Sequence, residues 1–133
     1  MGRFKFAVMA GVLAMMTACT ALGLDELEGS KWVLNSINSV DVASNAAATL
    51  NFDSGSMLSG NGGCNGFSTQ YSSREDGFSV GDIRSTRKMC SAERMESERE
   101  FFKLLRDTAQ VSGESGQLLL ITKNGERLLF KKR

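Results

Sequence analysis

One stretch of this chain repeats its apolar side chains on a helical period, whereas the runs on either side repeat theirs on a strand period. That contrast limits the folds open to it. Between residues 92 and 109, Ala92, Met95, Phe102, Leu105 and Ala109 recur on one helical face, with Phe101 and Leu104 beside them. Ser91 is a suitable N-cap, and Glu93 suits the positive end of the helix dipole. The spacing predicts one main helix over about residues 91–109. The charged run from Glu93 to Glu100 reads as its solvated face, and the apolar stripe as the surface that packs on a sheet.

The flanking segments alternate instead. Trp32 and Leu34 share one face of a first strand. Ala48, Leu50 and Phe52 lie opposite Thr49, Asn51 and Asp53, and Phe67, Thr69 and Tyr71 share a third face. Short runs follow at residues 78–80, 110–112, 117–122 and 127–130. Asn124-Gly125, between the last two, is a strong hairpin signal, because a type I′ turn needs φ > 0 at both central residues. The expected class is α+β and mostly antiparallel: a small curved sheet or partial barrel, closed or plugged by one helix.

The N-terminus addresses the compartment. Arg3 and Lys5 precede an uncharged apolar run from Phe6 to Ala18, too short for a permanent membrane span and matched to the core of a signal peptide. Met16-Thr17-Ala18-Cys19 resembles a bacterial lipobox, with Met16 where Leu is usual. The expected division is a signal peptide over 1–18, a lipid-anchored tether over 19–29 beginning at a lipidated Cys19, and one folded domain over 30–133. Thr20, rather than Asp, after the cysteine resembles the sorting pattern for the outer membrane of a Gram-negative cell, on its periplasmic face. In a Gram-positive host the anchor would hold the domain to the plasma membrane.

Loss of the signal removes two of the 16 basic residues, leaving 14 against 15 acids, a net charge of −1. A near-neutral domain lacks the clustered basic face that nucleic acid requires. The sequence has no histidine, which excludes a histidine base, a Ser–His–Asp triad and histidine-containing zinc sites.

The glycine-rich stretch "GNGGCNG" at residues 60–66 admits four readings. A phosphate loop needs a following Lys and Ser/Thr and a helix, whereas Asn65-Gly66-Phe67 leads into a strand. A structural zinc site needs about four ligands, and only Cys64 and Cys90 remain after lipidation. A reactive thiol needs a base or a helix N-terminus; Cys90 lies close to one, so a redox role stays open. The default for two exported cysteines is a structural Cys64–Cys90 disulfide. Asn65 and Arg87 flank the two cysteines as candidate surface or ligand contacts, against a plain role in a turn for Asn65 and solvation for Arg87.

The order and spacing of these motifs resemble the META domain (HslJ-like) family. Gly62-Gly63-Cys64-Asn65-Gly66-Phe67-Ser68-Thr69-Gln70-Tyr71 is similar to its GGCNxFxGxY stretch. Met89-Cys90, then Met95-Glu96-Ser97-Glu98-Arg99-Glu100-Phe101, is similar to its second motif and helix start. Trp32-Val33-Leu34 fits its opening strand, and residues 118–130 its closing hairpin. Thr69, Lys88 and Ser91 depart from the usual pattern in loop detail. The resemblance implies a lipocalin-like antiparallel fold, export as a lipoprotein and a link to envelope stress. It implies no catalytic residue, metal or cofactor.

The expected function is therefore non-enzymatic: a lipid-anchored accessory or binding domain of the envelope, with the membrane and an envelope protein as partners. One alternative is a small-ligand binder with a barrel-mouth pocket, which Trp32, Phe52, Phe67 and Leu105 would exclude from the interior if they fill it. The other is a thiol–disulfide redox protein.

Overall fold

The computed structural model describes Gly23 and residues 26–133; Cys19 and the expected signal peptide lie outside the described residues. Among the described residues ten strands and one α-helix follow in order: β1 (Lys31–Ile37), β2 (Val40–Asp41), β3 (Thr49–Asp53), β4 (Met57–Asn61), β5 (Gly66–Arg74), β6 (Gly77–Val80), β7 (Arg84–Ser85), α1 (Ala92–Arg106), β8 (Thr108–Glu114), β9 (Gln117–Thr122) and β10 (Arg127–Lys132). The strands pair antiparallel in the order β6-β5-β4-β3-β1-β10-β9-β8, with β2 added to β1 and β7 to β5. Beyond this path β6 comes to lie beside β8. A Cβ on Gly77 of β6 would sit 3.1 Å from the Ala109 carbonyl oxygen. The sheet is thus a nearly closed barrel with one helix, an α+β fold.

Strand alternation selects what enters the barrel. β1 turns Trp32 and Leu34 inward, β3 Leu50 and Phe52, β9 Leu118 and Leu120, and β10 Leu128 and Phe130. α1 contributes Phe101, Phe102, Leu104 and Leu105. The rings meet edge-on: Phe67 lies 5.8 Å from Phe101 and 5.4 Å from Phe102, and Phe101 lies 6.4 Å from Phe130. Trp32, Phe52, Phe67 and Leu105 are all buried in this one core. Leu27, within the stretch read as tether, is buried there too, and the Gly29 N–H donates to the Phe52 carbonyl at 2.7 Å, so packing begins before residue 30.

The helix is shorter than its apolar spacing predicts. It starts after Ser91, whose hydroxyl accepts from the Arg94 N–H at 3.4 Å, and it ends at Arg106 rather than near residue 109. Asp107 caps it, and the Lys123 N–H donates to the Asp107 carbonyl at 2.8 Å, drawing the chain into the β8–β9 ladder. Thr108 pairs with Thr122 and Gln110 with Ile121, so Ala109 is the extra residue of a β-bulge. Pairing of Thr108 and Gln110 with β9 on either side of Ala109 takes out of the helix the residue whose apolar spacing would continue it.

The last hairpin also differs in its turn. Gly125 has φ 87°, but Asn124 is not in the left-handed region. The Gly125 N–H donates to the Thr122 carbonyl at 2.9 Å, giving a three-residue loop that closes on a left-handed glycine instead of a type I′ turn. Paired positive φ values occur at Asn38-Ser39 (48° and 67°) and at Ser115-Gly116 (44° and 79°), the two-residue loops after β1 and β8.

Candidate functional site

The loop between β4 and β5 is fixed to α1 by one buried carboxylate. Glu98 Oε2 accepts from the Cys64 N–H at 2.8 Å and the Asn65 N–H at 2.5 Å, and its Oε1 accepts from Asn65 Nδ2 at 2.7 Å. Asn65 passes the connection on. Its Oδ1 accepts from the Thr86 hydroxyl at 2.9 Å and the Lys88 N–H at 2.6 Å. Arg94 adds a fork, donating to the Gly63 carbonyl through Nε at 2.9 Å and Nη2 at 2.5 Å. Beside these bonds Cys64 and Cys90 form a disulfide with Cα atoms 6.0 Å apart. Loop, helix start and the segment before the helix are thereby joined at one place.

This arrangement accounts for Gly62 without a ligand. A Cβ on Gly62 would stand 2.7 Å from the Phe102 ring and 2.9 Å from Glu98 Cγ. The loop lies against the helix at a distance only a bare backbone permits.

Asn65 is buried, and Arg87 is exposed on the segment before α1. The structure brings Asn65, Cys64 and Cys90 together but does not place Arg87 with Asn65 on one surface. Nor does the left-handed turn conformation apply to Asn65. The charged run predicts a solvated Glu98, yet it is 7 % exposed. Its position carried a signal: three residues after Met95 and four before Phe102, it falls on the apolar stripe. Among the described residues, no three His, Cys, Asp or Glu side chains are grouped to hold a metal ion. No helix among them is long and apolar enough to cross a membrane.

Buried side chains occupy the barrel interior, and one mouth holds a cleft of about 440 Å³. Its floor is Leu34, Ala48 and Phe101, all buried. One wall is the β1–β2 hairpin and the segment after it, including Ile37 and Val42. The opposite wall is the first half of α1, where Glu93, Ser97 and Glu100 share a stripe at spacings of four and three. Gly62 closes the end nearest the disulfide loop, so the bonds that seat the loop on α1 also set one boundary of the cleft.

Known proteins match this chain in family and in shape. The family model described as META domain matches residues 25–133. An NMR structure of a protein from Burkholderia xenovorans superposes with a TM-score of 0.70 at 23% identity, covering 82% of this chain and 85% of that one. A second NMR structure gives a TM-score of 0.66 at 27% identity, covering 83% and 94%. A crystal structure of a DUF4847 family protein from Bacteroides vulgatus gives 0.58 at 11% identity, covering 80% and 94%, a likeness of fold alone. No curated protein matches the sequence.

Proposed function

The chain belongs to the META domain family, and on that premise we propose that it is an exported, lipid-anchored, non-enzymatic domain that binds an envelope component and supports stress tolerance. The observation that carries this reading is the Cys64–Cys90 disulfide. Such bonds persist in oxidising compartments, which agrees with the export signal read at residues 1–18 and with Cys19 as the anchor. Acyl chains contribute about 0.8 kcal/mol per buried CH₂, so a multiply acylated Cys19 holds the domain on the periplasmic face of the outer membrane. The non-enzymatic reading draws support from the buried hub. Both oxygens of Glu98 are occupied by N–H groups of the loop, so this carboxylate holds structure.

Labelled palmitate incorporated by the wild type and lost in Cys19→Ala, with loss of membrane fractionation, is the expected result. A soluble wild-type protein overturns the anchor. Crosslinking from membranes should enrich an envelope partner over a lipidated control, and failure to do so counts against the accessory role.

A second reading, a small-ligand binder, is favoured by the cleft at the barrel mouth. A redox role is separated by the reduction potential of Cys64–Cys90. A structural bond gives a value below about −300 mV, and a catalytic one lies well above it.

A further inference from the structure

We infer that the barrel-mouth cleft is a site for an amphiphilic cation, a single apolar chain carrying an ammonium head. This rests on the reading of the domain as a binder and names the chemistry it would select. The cleft is apolar within, where Ile37 and Val42 face Phe101, and its volume of about 440 Å³ lies in the range of small-molecule pockets. Its exposed rim is acidic: Asp41 stands on the hairpin side, and Glu93 and Glu100 two helical turns apart on α1. Among the described residues neither Lys nor Arg lines it. Among the described residues none of these three carboxylates forms an ion pair. The cations nearest in sequence on the helix are committed elsewhere, Arg94 to the Gly63 carbonyl and Arg99 to Glu96.

Three like charges around an apolar hollow repel one another and attract a counter-charge. An occupant that buries a hydrocarbon tail against Phe101 and leaves its ammonium at the rim satisfies both surfaces at once. An anionic amphiphile would gain the same apolar contact and meet repulsion. A neutral one would gain the contact alone. Val40 at the hairpin tip is 71 % exposed and sits on the same rim, extending the apolar wall outward for a longer tail.

The test uses the mature domain with its disulfide intact, ¹⁵N-labelled, titrated below their aggregation limits with decylammonium, decyl sulfate and decyl maltoside. Expected is saturable movement of the amides of Ile37, Val42, Ser97 and Phe101 with decylammonium. Affinity should fall at least about tenfold for decyl sulfate, and the decylammonium affinity should fall as salt screens the rim. Glu93→Gln/Glu100→Gln should lower decylammonium affinity several-fold and leave decyl maltoside unchanged. Both positions are exposed, so an unchanged spectrum of the free variant shows that the fold is intact. Equal binding of all three amphiphiles overturns the cationic assignment and leaves the small-ligand reading standing. No movement at the cleft with any of them overturns both. The envelope-partner reading is judged separately by its crosslinking experiment.

Discussion

Glu98 accepts three hydrogen bonds from residues 33 and 34 positions earlier in the chain, and it does so from a buried position on the helix. Removing an acceptor from buried donors leaves them with no water to replace it, and that desolvation sets the cost. Glu98→Gln presents an amide NH₂ to N–H groups and should destabilise the domain by about 2 kcal/mol, lowering the melting temperature by roughly 8–15 °C. Glu96→Gln, two residues away, removes only an exposed pair with Arg99 and should change stability by less than about 0.5 kcal/mol. Thermal denaturation followed by circular dichroism measures both. Equal effects would show that Glu98 is no more than a surface charge. Spacing alone puts Glu98 in line with Met95 and Phe102, but an acidic residue among five other charged side chains of that run reads as solvated. Only the approach of Cys64 and Asn65 assigns its partners.

At the scale of elements, the disulfide and the last hairpin each make a distinct prediction. Cys64 and Cys90 are 26 residues apart, and a closed loop of that length contributes on the order of 3–4 kcal/mol through the entropy of the unfolded chain. Cys64→Ser/Cys90→Ser should shift the guanidinium midpoint down accordingly, and adding a reductant should lower the wild type to the same value. A variant as stable as the oxidised protein would show that the Glu98 hub alone seats the loop. In the β9–β10 turn, Gly125 adopts φ 87° and Asn124 does not share it. Gly125→Ala should therefore cost about 1 kcal/mol and Asn124→Ala close to nothing, whereas a type I′ turn would penalise both. Chemical denaturation of the two variants separates the turns. The pair Asn124-Gly125 foretold a hairpin correctly, but the loop length that fixes its type comes from the Thr122 and Glu126 bonds: the Thr122 N–H donates to the Glu126 carbonyl, and the Glu126 N–H to the Thr122 hydroxyl.

At the scale of the whole molecule, the barrel and helix share one core. Leu105 is fully buried between them, in contact with neither solvent nor the cleft. Leu105→Ala should cost about 2–5 kcal/mol, with the exact cost set by how far the barrel collapses into the space. Because a single core joins all elements, the loss should appear as one cooperative transition at a lower midpoint with an unchanged slope in denaturant. A separate early transition for the helix would show that α1 is docked on the barrel instead of built into it.

The sequence by itself determined that this domain is a row of short antiparallel strands with one amphipathic helix. Period-two and period-3.6 patterns are local, and burial of Trp32, Leu50, Phe52 and Leu105 follows from them directly. It also offered Cys64 and Cys90 as a pair, the two cysteines left once Cys19 is set aside as the expected lipid anchor, and they are bonded in the structure. What tertiary structure alone decided was where local preference yields to long-range hydrogen bonds. Ala109 left the helix because β9 captured the residues beside it, and Asn65 left the surface because Glu98, Thr86 and Lys88 surround it. The cleft is of the same kind. Asp41, Glu93 and Glu100 are ordinary surface acids in the sequence. They share one rim because the β1–β2 hairpin and α1 meet across the barrel mouth, a juxtaposition that no local pattern encodes.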